Sequence, residues 1–254
     1  MPVEVTEDAV LGGRLRLRQP ARGHRVGHDA ILLAAACPAR AGERVVDLGA
    51  GVGAAGLALV ARVDGVRVTL VEIDPDLAAL AKQNAECNGL AARVTAVPLD
   101  VAAPARAFAA AGLGPESIAR VLMNPPFNDP RRHRPSPEAG RRLAHAGPNG
   151  TLALWLKVAA RLLRPRGTLT LIWRAEGLAD ILGALVPAFG GVAVLPIHGK
   201  PAEAAIRVLV RATKGSRAQL AMLPGLILND QAGRPTPEAE AILRAGAALP
   251  LVKG

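Results

Sequence analysis

The sequence predicts an α/β fold: a seven-stranded, mostly parallel sheet with its last strand antiparallel and helices on both faces. Three observations carry this expectation. From residue 44 onward, short β-branched runs alternate with helix-length segments, the rhythm of a parallel sheet with crossover helices. The runs RVVDL, RVTLVE and ARVLM are nearly continuous in apolar residues, as strands covered on both faces require. GVAVLPIHG and AAIRVLVRA lie too close in sequence for a helical crossover, so they should pair antiparallel.

Residues 3–19 read as a hairpin, with Val3, Val5, Leu15 and Leu17 alternating with polar residues around Gly12-Gly13. Asp29 is expected as the N-cap of a helix through AILLAAA. RVVDLGAG (44–51) is a strand ending in glycines, and GAAGLALVARV (53–63) is the next helix. RVTLVEID (67–74) is the second strand of the sheet. Pro75 then opens a helix, with Gly89 past its end. RVTAVPLD (93–100) is the third strand, a short helix spans about 104–112, and ARVLMN (119–124) is the fourth strand. Residues 130–147 are rich in Arg, Pro and Gly and read as a loop. TLALWLKVAARLL (151–163) is an amphipathic helix, GTLTLIWR (167–174) the fifth strand, and GLADILGALVPAF a helix before the last two strands. The expected organisation is a hairpin and helix over residues 1–43 covering a ligand site, a core over 44–214, and a C-terminal extension over 215–254, all in one domain.

The chain has 254 residues and is 50% hydrophobic, enough for one large core. Aromatics are 2% and there is no tyrosine, so core volume must come from Ala, Val, Leu and Ile. The formal net charge of +10 points to an acidic partner, most simply a nucleic acid. An Ala-, Arg-, Gly- and Pro-rich composition yields a basic balance without any partner, so charge alone does not decide. Cys37 and Cys87 match no metal spacing and no disulfide framework. The opening MPVEVTEDAV is acidic and alternating rather than basic then apolar, and no apolar run reaches the roughly 18 residues of a membrane span. A cytoplasmic protein without metal is expected.

The stretch D-L-G-A-G-V-G over 47–53 follows the first strand of the core. Its glycines allow positive φ and close backbone approach, and the free amides of the following helix face the same crevice. Gly51, Gly53 and Gly56 satisfy G-x-G-x-x-G, the dinucleotide fingerprint. Glu72, at the end of the second strand, can accept from both ribose hydroxyls. A nicotinamide cofactor and S-adenosylmethionine fit these residues equally well. MNPPF (123–127) at the end of the fourth strand separates them, because a dehydrogenase has no use for an asparagine and two prolines there. Asp100 can accept from an adenine amino group, or can simply cap the helix that begins near Pro104.

DLGAGVG, VEID, PLD and MNPPF, in that order and spacing, resemble a class I S-adenosylmethionine-dependent methyltransferase with its Rossmann-like fold. NPPF belongs to the branch that methylates planar exocyclic amines. Over nearly the whole chain the sequence resembles the bacterial tRNA(Val) adenine-N6 methyltransferase family, through TEDAVLGGRLRLRQP, GHRVGHDAILLAA, MNPPFNDP, RRLAHA, GTLTLIWR and AIRVLVRATKGSR. The resemblance implies an S-adenosylmethionine cofactor contacted by Asp29, Asp47, Gly49, Gly51, Glu72, Ile73, Asp100, Val101 and Asn124. It implies Asn124, Pro125, Pro126 and Phe127 at the reacting base, and as target the adenine at position 37, next to the anticodon of tRNA(Val). His28 stands where a small hydroxylated residue is expected. Guanine-N2 methylation of rRNA is the alternative, and glutamine N5-methylation of a protein comes after it.

The motif suits the chemistry. An aromatic amine is a poor nucleophile because its lone pair is delocalised into the ring. Acceptors on its N–H groups favour the localised, positively charging state, and acceptors aimed at developing charge are worth a few kcal/mol each. The Asn124 side-chain oxygen and the Pro125 carbonyl can play this part, and Phe127 can stack on the base, a contact worth about 1–3 kcal/mol. Arg131, Arg132 and Arg134 follow directly and are expected to grip RNA phosphates, as are Lys214 and Arg217 of KGSR beyond the last strand.

Overall fold

The computed structural model describes residues 4–22, 25–126 and 137–251, with side chains throughout except over 137–149. An N-terminal hairpin, β1 (Val5–Val10) and β2 (Leu15–Pro20), turns at Gly12 and Gly13, both at positive φ. It is followed by α1 (His28–Ala36), β3 (Arg44–Leu48), α2 (Ala54–Arg62), β4 (Arg67–Glu72), α3 (Pro75–Cys87), β5 (Val94–Pro98), α4 (Ala105–Ala110) and β6 (Ile118–Met123). The chain continues through α5 (Pro137–Leu162), β7 (Leu163–Arg174), α6 (Leu178–Leu185), β8 (Phe189–His198) and β9 (Ala205–Lys214). It finishes with β10 (Ala221–Met222), β11 (Leu226–Ile227) and α7 (Pro237–Leu243).

The main sheet runs β10-β8-β9-β7-β6-β3-β4-β5, and β11 also pairs with β8. β3 to β7 are mutually parallel, while β9 is antiparallel to both β7 and β8. The strand order reverses between β3 and β6, which opens a crevice beyond their carboxyl ends. One apolar cluster joins Leu17, Leu33, Leu57, Leu70 and Ile242, from the hairpin, α1, α2, β4 and α7. The other joins Phe108, Trp155, Leu162 and Ile181, from α4, α5 and α6 on the opposite face. Both faces are thus covered, which is why β3, β4 and β6 could be read from unbroken apolar runs.

The sheet has nine strands rather than seven. β10 and β11 add two residues each beside β8, too short to show a period in sequence. Residues 215–251 therefore cover a sheet edge: Leu251 is buried and the Leu249 N–H donates to Ala35 O. Residues 137–147 are helical instead of a loop. Pro137 opens α5, a place where its missing N–H costs nothing, and Gly140, Gly147 and Pro148 disguised the helix in sequence. Asp29 is not an N-cap. α1 starts one residue earlier after the extended Gly27, and Asp29 lies in its first turn. Among the described residues no helix is long and apolar enough to cross a membrane.

Candidate active site

The glycine stretch builds the floor of the crevice. Gly49 N and Ala50 N both donate to Val71 O, at 2.8 and 3.0 Å, which turns the chain off the tip of β3. Gly49, Gly51 and Gly53 all have positive φ, where a side chain costs roughly 1–2 kcal/mol. Their surroundings differ. A Cβ on Gly49 would overlap the Trp155 ring, and one on Gly53 would meet Leu70 Cδ1 at 2.8 Å. A Cβ on Gly51 would meet nothing within 4 Å. Gly51 is thus the glycine that faces open space at the crevice, where a ligand can approach the backbone. Gly49→Ala is expected to cost about 2–4 kcal/mol, from αL strain and the clash with Trp155. Chemical denaturation checks this, and the double variant Gly49→Ala/Trp155→Phe should recover part of the loss.

Two carboxylates hold the loop. Asp47, 2% exposed, accepts from Gly56 N at 2.9 Å and so caps the first turn of α2, whose N-cap Gly53 has no side chain to offer. Glu72 accepts from Gly51 N at 2.7 Å and from Asp74 N at 3.0 Å, which fixes its carboxylate at the mouth of the crevice. Burial pushes the Asp47 carboxyl up to about 7; the Gly56 N–H pulls it down and the nearby Glu72 charge adds to the rise. The folded chain therefore binds a proton there that the unfolded chain has released. Stability contributed by this site falls as pH rises from about 4 to about 7, and is flat above. Asp47→Asn keeps an acceptor for Gly56 N and removes the charge. Its Tm should match that of the parent chain near pH 4 and exceed it at pH 8, by an amount worth roughly 2–4 kcal/mol.

Asp100 lies two residues beyond β5 and accepts from Ala102 N at 2.7 Å, so it holds a turn rather than capping α4, whose N-cap is Pro104. Beside the two acids, Ile73 is half exposed and Val101 is buried. Asp29 accepts from Arg207 Nε at 2.9 Å, and Arg207 pairs across the sheet with Arg174 at the carboxyl end of β7. That places Asp29 at the crevice end of the sheet.

Leu48 and Met123 are in register, so the next residues, Gly49 and Asn124, leave adjacent strands side by side. The Asn124 Oδ1 atom is buried and has no hydrogen-bond partner among the described residues. An unpaired buried amide oxygen costs about 1–3 kcal/mol. Pro125 is buried beside it and Pro126 half-buried. Phe127, Arg131, Arg132 and Arg134, expected at the substrate, lie outside the described residues. Lys214 and Arg217 are described, and not beside Asn124. β9 is antiparallel, so its end returns to the amino end of β7, where Lys214 donates to Leu163 O and pairs with Glu116 at 2.9 Å.

Three residues of this region were not singled out from sequence. Trp155 packs behind Gly49; its signal was scarcity, since the chain has only 2 tryptophans. One turn earlier on α5, the buried Thr151 hydroxyl has no partner among the described residues. Asn84 of α3 is fully buried and uses its whole amide: Oδ1 accepts from Arg18 N, and Nδ2 donates to Arg18 O and to Val52 O. It ties β2 of the hairpin to the glycine loop. Away from the loop, a cleft of ≈ 570 Å³ between the hairpin, the start of α1 and the C-terminal segment is lined by Asp8, Arg25, His28 and Glu240 among others. Among the described residues no group of three or more His, Cys, Asp or Glu is placed to hold a metal ion.

Comparison with known proteins bears on this arrangement. Residues 24–200 match the family described as the methyltransferase small domain. A curated relative from Tolumonas auensis, a tRNA1(Val) (adenine(37)-N6)-methyltransferase, is 32% identical over 154 residues, 60% of each chain. A release factor glutamine methyltransferase from Chlorobaculum tepidum is 29% identical over 171 residues, 61% of this chain and 54% of that one. The chain thus spans roughly 54–60% of the length of these relatives. A crystal structure from Agrobacterium tumefaciens, titled a predicted O-methyltransferase, is 34% identical with a TM-score of 0.74, over 87% of this chain and 98% of that chain.

Proposed function

Because the chain belongs to the methyltransferase small domain family, we propose that it transfers the methyl group of S-adenosylmethionine to an exocyclic amine, N6 of adenine in tRNA. The position that fits the reading is 37, next to the anticodon of tRNA(Val), and the reaction belongs in the cytoplasm. One observation carries the chemistry: the buried, unpartnered Asn124 Oδ1 beside the glycine loop. A buried acceptor left without a donor calls for one from a ligand.

The residues present fit the cofactor. Gly51 leaves its side of the crevice open, α2 starts just after it at Ala54, and the Glu72 carboxylate is fixed at its mouth. Asp100 and Ile73 would hold the base of the cofactor. When bound, S-adenosylmethionine supplies an electrophilic methyl on a sulfonium. The chain's own part is to orient the nucleophile. Asn124 Oδ1 and the Pro125 carbonyl accept from the two N–H groups of one amine and draw its lone pair out of the ring. A hydroxyl has a single proton to give, so paired acceptors favour nitrogen over oxygen. The prolines fix the backbone so that the carbonyl needs no reorganisation. No strong base is needed, because the methylated aryl ammonium is itself a strong acid.

Adenine is preferred over guanine and over a glutamine amide on the strength of the relatives named for tRNA adenine, against one named for a glutamine of release factor. The test is methyl transfer from labelled S-adenosylmethionine to separate tRNA, rRNA and protein pools, followed by nucleoside mass spectrometry. N6-methyladenosine in tRNA is expected. N2-methylguanosine in rRNA, or label confined to protein, overturns the reading.

A further inference from the structure

At the end of the sheet opposite Asn124, the strands begin with cations. Arg44 opens β3 and Arg67 opens β4, and the two are in-register neighbours. Arg40 lies in the turn before β3, where Gly42 N donates to Gly65 O just ahead of β4. Arg164 and Arg166 lie at the start of β7. Arg217 follows β9, whose antiparallel course brings its end back here, and the next residue accepts from Gly191 N near the start of β8. In sheet order these residues run from β4 to β8, five strand spacings or about 24 Å.

The carboxylates at this end do not balance them. Glu43 is nearly buried and is shared by Arg120 and Arg164. Glu116 is taken by Lys214, and Asp64, exposed just ahead of β4, lies 4.0 Å from Arg93. Arg40, Arg67, Arg166 and Arg217 are exposed and make no ion pair among the described residues. Like charges facing each other across strands, as Arg44 and Arg67 do, destabilise a sheet. A surface selected for solubility alone would intersperse the two signs. Arg44, Arg67, Arg164 and Arg166 are held on strand ends, and Arg40 and Arg217 on the short segments that flank them.

We infer that this end of the sheet is a second RNA-contacting face, which grips the sugar-phosphate backbone away from the base being methylated. The inference rests on the tRNA reading above. β6 is six residues long, so the row lies about 20 Å from the Asn124 end. Stacked nucleotides rise roughly 3.4 Å each, so about six of them cover that distance. A structured RNA with its target base in the crevice therefore reaches both ends, while a shorter oligonucleotide does not.

The experiment uses full-length tRNA, a five-nucleotide RNA around the target base, and a chain with Arg40, Arg67, Arg166 and Arg217 all changed to Gln. Binding of tRNA should weaken about 100-fold or more near 0.1 M salt, with a log K against log salt slope shallower by about 2–3. Transfer to the short RNA and the Kd for S-adenosylmethionine should stay unchanged. Tm should hold or rise, since unpaired like charges have been removed. Changing the same four residues to Lys should keep tRNA binding within about threefold, as phosphate contacts need charge and not geometry. An unchanged slope in the Gln chain, or an equal loss on the short RNA, overturns the second face. If the parent chain itself binds no tRNA, the proposed function fails first and this inference with it.

Discussion

Asn124→Ala is expected to lower methyl transfer by about 100- to 1000-fold while the Kd for S-adenosylmethionine stays within about twofold. The range is that of deleting one preorganised group aimed at developing charge. Asn124 stands at the tip of β6, in the strand next to the glycine loop, and its Oδ1 has nothing to bond among the described residues. Truncation therefore leaves no partner stranded and relieves the fold of a buried unpaired acceptor, so Tm should not fall. This opposition identifies a functional residue: activity collapses while stability holds. Asn124→Asp keeps two acceptors and should lose less than the Ala variant. Single-turnover transfer, with cofactor binding measured separately by calorimetry, checks the split. If transfer stays within tenfold, amine polarisation by Asn124 is wrong.

Asn84→Ala should be the most damaging truncation for stability, at roughly 3–6 kcal/mol. Three backbone groups lose their partner together: Val52 O, which is buried, and Arg18 N and Arg18 O, which are part-buried, each worth about 1–3 kcal/mol when stranded away from water. For a chain of this length that lowers Tm by on the order of 10 °C. Asn88, one turn on, makes the same pair of bonds to Arg16 N and Arg16 O, but its site is half exposed and water can replace it. Asn88→Ala should cost about 1 kcal/mol. Denaturant melts of both variants measure the difference, and equal costs would show that burial is not what sets it.

Strands β3 to β9 were legible because burial on both faces leaves unbroken apolar runs, and their order of direction followed from connection lengths. α3 was legible from Pro75 and Gly89 at its two ends. β10 and β11 were not, since two residues carry no period. The first half of α5 was hidden by glycines and a proline that ordinarily signal a turn. At the candidate site, Gly51, Glu72 and Asn124 were singled out by type and spacing, and Asp47 through the family resemblance. What they touch was not: the capping of Gly56 by Asp47, and the Trp155 ring behind Gly49, need the folded chain. That Lys214 and Arg217 stand at the far end of the sheet from Asn124 was already implied by sequence. Antiparallel pairing of the last strand already carried its end away from the crevice.

The docking of the hairpin has a consequence for how the sequence can drift. Asn84 and Asn88 read the main chain of β2, not its side chains, and the side chains of Arg16 and Arg18 stand 75% and 47% exposed with only loose pairing to Glu7. Any residue except proline, which lacks the donating N–H, satisfies the same bonds at those two positions when it tolerates an extended backbone. Mutational tolerance is therefore lopsided across this contact: broad on the strand that docks, and narrow on the helix that receives it.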